Sequence, residues 1–135
     1  LGIIANYAYT NSEITKDIDA TKVGTPLPGF AKHIINGWIN YQIRDGYFHG
    51  LGFSVGATYR ADRSTWGWAA ENQKPLPDYF RMDAGLSYRF QHLKVNLAVN
   101  NLLNKYLYEG SPYGNFYYWQ MEAPRNFRLG FSYDF

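Results

Sequence analysis

The chain has 135 residues, which a prior of roughly 150 residues per domain reads as at most one domain. Lys plus Arg number 13 and Asp plus Glu 11, a net charge of +2 that argues against a nucleic-acid partner. The 4 Trp, 13 Tyr and 9 Phe exclude a disordered chain, and the lack of Cys excludes a disulfide framework or a cysteine-held metal. No run approaches the ~18 apolar residues of a transmembrane helix. The chain opens Leu1-Gly2-Ile3 with neither Met nor a signal peptide and reads as a mature product or a fragment.

In chain order the predicted elements are six strands. Residues 3–12 alternate Ile3, Ala5, Tyr7 and Tyr9 against Ile4, Asn6, Ala8 and Thr10. Residues 32–43 place Ile35, Ile39, Tyr41 and Ile43 opposite Trp38, Asn40 and Gln42. In 51–60 Leu51, Phe53, Val55, Ala57 and Tyr59 oppose Gly52, Ser54, Gly56, Thr58 and Arg60. In 80–90 Phe80, Met82, Ala84, Leu86, Tyr88 and Phe90 oppose Arg81, Asp83, Gly85, Ser87 and Arg89. Segments 93–100 and 127–135 repeat the pattern, the last with Phe127, Leu129, Phe131, Tyr133 and Phe135 on one face. Period two is the signature of half-buried strands, and the i+3 and i+4 matches of a helix are missing. Long connections at about 13–30, 62–78 and 104–125 alternate with short ones at Arg44-Asp45-Gly46 and Gln91-His92.

Alternation alone fits a soluble sandwich. Three features favour a membrane barrel. Aromatics flank an aliphatic centre on the apolar face, as Phe80 and Tyr88/Phe90 flank Met82, Ala84 and Leu86. Nine strand residues at roughly 3.3 Å each, tilted about 40°, span roughly 23 Å, close to an apolar band of about 25 Å. The opposite face carries glycine and charges of both signs, which suits a wet lumen. Barrels of this class start at about eight strands, and an open sheet in lipid leaves costly unpaired backbone groups. Six strands are therefore expected to complete a barrel with other segments or chains.

Four segments resemble a TonB-dependent outer-membrane receptor of the ferric-siderophore branch. Leu76-Pro77-Asp78-Tyr79-Phe80-Arg81-Met82-Asp83, running into Leu86-Ser87-Tyr88-Arg89-Phe90, resembles a strand of that family with its proline-tyrosine-aspartate start. Val99-Asn100-Asn101-Leu102-Leu103-Asn104-Lys105-Tyr106 resembles the segment that starts its last extracellular loop. The run from Pro124 to Phe135 resembles the closing strand, and Pro26-Leu27-Pro28-Gly29 with Lys32-His33 resembles an upstream proline segment. The resemblance implies that residues 1–135 are the C-terminal part of a barrel of about 22 strands, with the plug domain and the energy-coupling box lying outside this chain. It implies the outer membrane of a Gram-negative bacterium, with 13–30, 62–78 and 104–125 outside the cell. The implied function is energy-coupled uptake of a ferric siderophore. The implied partners are outer-membrane lipid, a TonB-type complex acting through the missing N-terminal region, and the barrel-assembly machinery.

No catalytic constellation is found, so no enzymatic activity is expected. His33, His49 and His92 lack metal-ligand spacing, and Glu13, Asp17 and Asp19 lack the Gly and bidentate Glu of a calcium loop. No resident cofactor is expected, the iron arriving as a chelate. Ligand-binding candidates are the loop aromatics Trp66, Trp68, Tyr113, Phe116, Tyr117, Tyr118 and Trp119, whose faces suit a bulky ligand of mixed polarity. Arg63 and Lys74 add charge for an anionic chelate. The competing reading for these rings is loop packing or an outer girdle. Arg60, Arg81, Asp83, Arg89, Arg128 and Asp134 are expected in the lumen, as cross-strand ion pairs or as contacts to a plug. Phe131, Tyr133 and Phe135 are assigned to an assembly signal. The alternatives are a soluble aromatic-rich β-sandwich binding module, for carbohydrate as one example, and an oligomeric barrel of six-stranded chains.

Overall fold

The computed structural model describes residues 1–27, 29–64, 76–113 and 116–135, with the side chains at 111–113 and 116–118 left out of the description. Eight strands follow in order: β1 (Gly2–Tyr9), β2 (Ala31–Gln42), β3 (Leu51–Arg63), β4 (Tyr79–Phe90), β5 (Leu93–Asn100), β6 (Tyr108–Tyr113), β7 (Phe116–Met121) and β8 (Asn126–Tyr133). A single 3-10 turn at Ala20–Lys22 is the one helical element among the described residues. The fold is all-β and antiparallel. One sheet runs β1-β2-β3-β4-β5-β8, and β6-β7 form a separate two-stranded ribbon.

The six strands of the main sheet are the six that the alternation predicts. Residues directly opposite in an antiparallel pair share a face. The register therefore aligns one apolar face across the whole sheet. Ile3 faces Ile39, Ile39 faces Val55, Val55 faces Ala84, Ala84 faces Val99 and Val99 faces Phe127. A second row runs Tyr41, Phe53, Leu86, Leu97 and Leu129. A one-residue slip at any pair would turn a whole strand's apolar set to the other side.

That apolar face is uncovered. Ile3, Ile35, Ile39, Phe53, Leu86, Leu129 and Phe131 are all exposed. Among the described residues the buried apolar side chains are Ala31, Leu76, Tyr79 and Leu107, all at the end of the sheet with the long connections. A soluble sandwich must bury its inner face against a second layer, and no described layer lies on this one.

Polar side chains knit the opposite face. Asn36 Nδ2 donates to Asn6 Oδ1 at 2.8 Å, and Thr58 Oγ1 donates to Asn36 Oδ1 at 2.9 Å. Asn100 Nδ2 reaches Asn126 Oδ1 at 2.9 Å. The Trp38 indole crowds Gly56, where an added Cβ would sit 2.0 Å from the ring. This face is hollowed into an open trough of about 820 Å³ bordered by Trp38, Gln42, Ser54, Ser87, Arg89 and Asn96.

Of the two short connections, one is as expected and one is wider. Gln91-His92 is a tight turn with Gln91 at φ 51°. The β2–β3 turn is wider than Arg44-Asp45-Gly46. It spans 43–50, closed by Ile43 N to Leu51 O (2.8 Å) and Gly50 N to Ile43 O (3.0 Å). Gly50 has φ 89° and packs against the Arg89 carbonyl, which leaves no room for a Cβ.

The register makes a paired expectation. Leu86→Arg, on the apolar face, costs roughly 2–4 kcal/mol of barrel stability in the full-length protein, whereas Ser87→Arg, on the trough side, costs much less. Equilibrium unfolding in lipid vesicles reads the difference, and equal costs would refute the assignment of faces.

Candidate functional site

The side chains of greatest chemical interest gather at the long-connection end, where the ribbon β6-β7 meets β3 and β4. Arg60 and Arg63 stand three residues apart, so a regular strand would send them to opposite faces. Asp62 between them has φ 51°, and this left-handed step reverses the alternation. Both guanidinium groups consequently reach one carboxylate. Arg60 Nη1 donates to Glu109 Oε1 at 2.6 Å, and Arg63 Nη2 donates to Glu109 Oε2 at 2.7 Å. The same step leaves the Asp62 carboxylate 3.8 Å from His33 Nε2.

Tyr79 supports the pair from below. Its ring centroid lies 4.7 Å from the Arg60 guanidinium carbon and 5.3 Å from that of Arg63, a double cation–π contact. The Arg63 side chain is only 4% exposed, and its Nη1 also donates to the Pro77 carbonyl at 3.2 Å. A buried guanidinium stripped of its carboxylate would cost several kcal/mol.

The network continues along β4. Tyr79 Oη donates to Glu122 Oε2 at 3.0 Å, and Arg81 Nη1 lies 3.4 Å from the same oxygen. Arg81 Nε donates to Asp83 Oδ1 at 2.8 Å. Asp83 Oδ1 in turn accepts the Asn101 backbone N–H at 2.8 Å. Arg89 pairs with Asp134 at 3.5 Å on the far end of the same face. Ion pairs within the chain thus engage Arg60, Arg81, Asp83, Arg89 and Asp134, while exposed Arg128 has none among the described residues.

The segment from Asn100 to Tyr106 is a structural joint. Asn101 is 2% exposed and takes φ 51°, a conformation asparagine tolerates better than most residues. Its side chain accepts from Lys105 N (3.0 Å) and donates to Lys105 O (2.9 Å). Asn104, also at φ 51°, accepts from Arg125 N at 3.0 Å. The joint ties the end of β5 to the base of the ribbon and to the start of β8.

The residues singled out from sequence fall unevenly. Trp66, Trp68 and Lys74 lie outside the described residues. Tyr113, Phe116, Tyr117 and Tyr118 lie on the ribbon by backbone, outside the described side chains. Trp119 is exposed on β7 and stacks obliquely on Tyr108 at 5.7 Å. Phe131 and Tyr133 are exposed on edge strand β8, and Tyr133 meets Phe135 edge-on at 5.2 Å. His33 packs between Tyr7 and Tyr9, hydrogen-bonded to the Tyr7 hydroxyl at 2.8 Å. In the acidic loop the Asp19 carboxylate caps the 3-10 turn, accepting from Thr21 Oγ1 (2.6 Å) and Thr21 N (3.0 Å). These bonds hold its pKa below the usual carboxylate value.

Sequence reasoning picked Arg63 and placed Arg60 on the polar face, but missed Glu109, Tyr79, Glu122 and Asn101 as one network. Glu109 lies 46 and 49 positions from its partners, and nothing local in the sequence joins them. Asn101→Ala removes from a buried joint the side-chain bonds to Lys105 N, Lys105 O and, at 3.5 Å, Ala123 O, and its expected cost is about 1–3 kcal/mol. Thermal unfolding of the full-length protein checks it, and a change within about 0.5 kcal/mol would show that the joint is not needed.

Residues 1–102 match the family described as TonB dependent receptor-like, beta-barrel. The whole chain also aligns with the metal-pseudopaline receptor CntO of Pseudomonas aeruginosa. The identity is 29% over 136 positions, in strain UCBPP-PA14 and again in strain PAO1. The alignment covers all of this chain and 18% of the relative, so the chain spans less than a fifth of the protein it resembles. Neither the sandwich nor the oligomer reading gains from these likenesses. The family is one of outer-membrane transport receptors rather than enzymes. Its barrels carry an apolar band facing lipid and a polar interior, the two faces that this sheet presents. The chain belongs to the TonB-dependent receptor β-barrel family.

Proposed function

We propose that this chain is a C-terminal stretch of the wall of a receptor that binds a metal chelate outside the cell and admits it through the outer membrane. Energy arrives from a TonB-type inner-membrane partner, acting through a plug and coupling segment beyond this chain. No bond is made or broken in the cargo, so the wall needs no catalytic group and no metal ligands of its own. The observation that carries the reading is the ribbon β6-β7. It bears the aromatics 113 and 116–119 and is tethered to the polar face by Glu109 and Glu122.

The ferric siderophore expected from sequence is the narrower form of this ligand. The relative's ligand, by its name, is a metal bound to pseudopaline, which supports a metal chelate as the class. Aromatic faces with polar edges suit such cargo. Within the same reading Phe131, Tyr133 and Phe135 serve barrel assembly, since an extended strand with alternate apolar side chains adds to a sheet edge.

The test is uptake by the full-length receptor. A strain lacking it, grown under metal limitation, is supplied in turn with ferric siderophores and with chelates of divalent metals. Restored growth on a chelate only when the receptor is returned supports the reading, and the metal that works names the narrower ligand. Replacing Trp66, Trp68 and Trp119 together with Leu is expected to lower uptake at least about tenfold through loss of aromatic contact. Normal uptake by that variant would remove the three from the ligand route. Growth on no chelate would overturn the reading itself.

A further inference from the structure

The Arg60–Glu109–Arg63 cluster has the form of a carboxylate receptor with its guest already in place. Each oxygen of one carboxylate has its own guanidinium, at 2.6 and 2.7 Å. Charge-assisted pairs of this kind are short and directional, and arginine's planar fork matches a carboxylate in width.

Seat and guest differ in how firmly they are held. The seat is built on the main sheet. Arg63 is almost fully buried, fixed by the Pro77 carbonyl and the Tyr79 ring, and Arg60 lies on that ring from the same strand. The guest is 39% exposed and comes from a two-stranded ribbon outside the sheet. Charge is also unevenly shared. Among the described residues Arg81 has two carboxylates, Asp83 and Glu122, while Arg60 and Arg63 divide one. Beside the seat lies a cavity of about 140 Å³ bordered by Ala31, Ile34, Leu76 and Gly110.

We propose that Arg60 and Arg63 form the binding site for a free carboxylate of the cargo, that Glu109 occupies it as an internal stand-in, and that an anionic chelate takes the site by exchange and releases the β6-β7 ribbon from the wall. The inference rests on the transport reading above and narrows its ligand to chelates with an ionised carboxylate clear of the metal. An internal competitor lowers the apparent affinity by the fraction of time the site is open. Neutralising Glu109 must then tighten anion binding, the opposite of what losing an ordinary binding residue does.

The experiment uses the full-length receptor in detergent with citrate alone as the probe. Spin labels at Gln120 on the ribbon and Asp45 in the β2–β3 turn report the ribbon's position. Citrate is expected to shift that distance in the wild type. Glu109→Gln is expected to show the shifted distance without citrate and to bind citrate at least about tenfold more tightly. Arg63→Gln is expected to abolish citrate binding. Because Arg63 is buried, Arg60→Gln, at a more exposed site, provides a second variant expected to weaken binding in the same direction, with heat-modifiable migration confirming a folded barrel. Unchanged citrate affinity and unchanged distance in Glu109→Gln would overturn the proposal. If that happens while a metal chelate still supports growth, the seat fails and transport stands. If citrate behaves as expected while no chelate supports growth, the anion site stands and the transport reading beneath it falls.

Discussion

A backbone N–H or C=O inside a bilayer has no water to turn to, and each one left unpaired costs several kcal/mol. The main sheet of this chain answers to that constraint. Strands can cross the hydrocarbon only by pairing with neighbours on both sides. Here β2, β3, β4 and β5 each have two antiparallel partners. Pairing fixes register, and register fixes which side chains meet lipid and which line the interior. The same constraint requires edge strands β1 and β8 to find partners beyond the sheet described here. The six strands of this chain, which spans 18% of its relative's length, do not close a barrel by themselves.

Beyond the apolar band the rules change, because water and loops can again satisfy polar groups. The long-connection end is where the buried side chains collect and where charged side chains build the network on Tyr79. A left-handed residue at Asp62 breaks the strand's two-residue rhythm just where a second arginine is brought to the first. Non-glycine residues at positive φ are uncommon and cluster where function uses them. The ribbon is bound to the sheet through these charges and through the Asn101 joint rather than by continuing the main ladder.

The six strands were legible in the sequence because alternation between lipid and a polar interior is imposed on every spanning residue. The faces read from residues such as Phe80, Met82, Ala84 and Leu86 are the faces seen. The ribbon β6-β7 was not legible, and 104–125 reads as a plain loop. Tyr108–Tyr113 carries Gly110 and Pro112, residues that weaken a strand signal. The site was legible only in part. Arg63 declares itself as a loop-end cation, but its partner Glu109 is a lone acid among aromatics. The φ of Asp62 that joins the two sides is a property of the fold and leaves no mark in the spacing.

The central claim is that the uncovered apolar face meets lipid and the trough side meets water. Single spin labels at residues 83 to 88 of the full-length receptor in vesicles test it most directly, each read for collision with a lipid-soluble and a water-soluble relaxant. The account predicts strict alternation, with labels at 84, 86 and 88 reached from lipid and those at 83, 85 and 87 reached from water or shielded from both. Uniform accessibility along the strand, or alternation of the opposite phase, would contradict it.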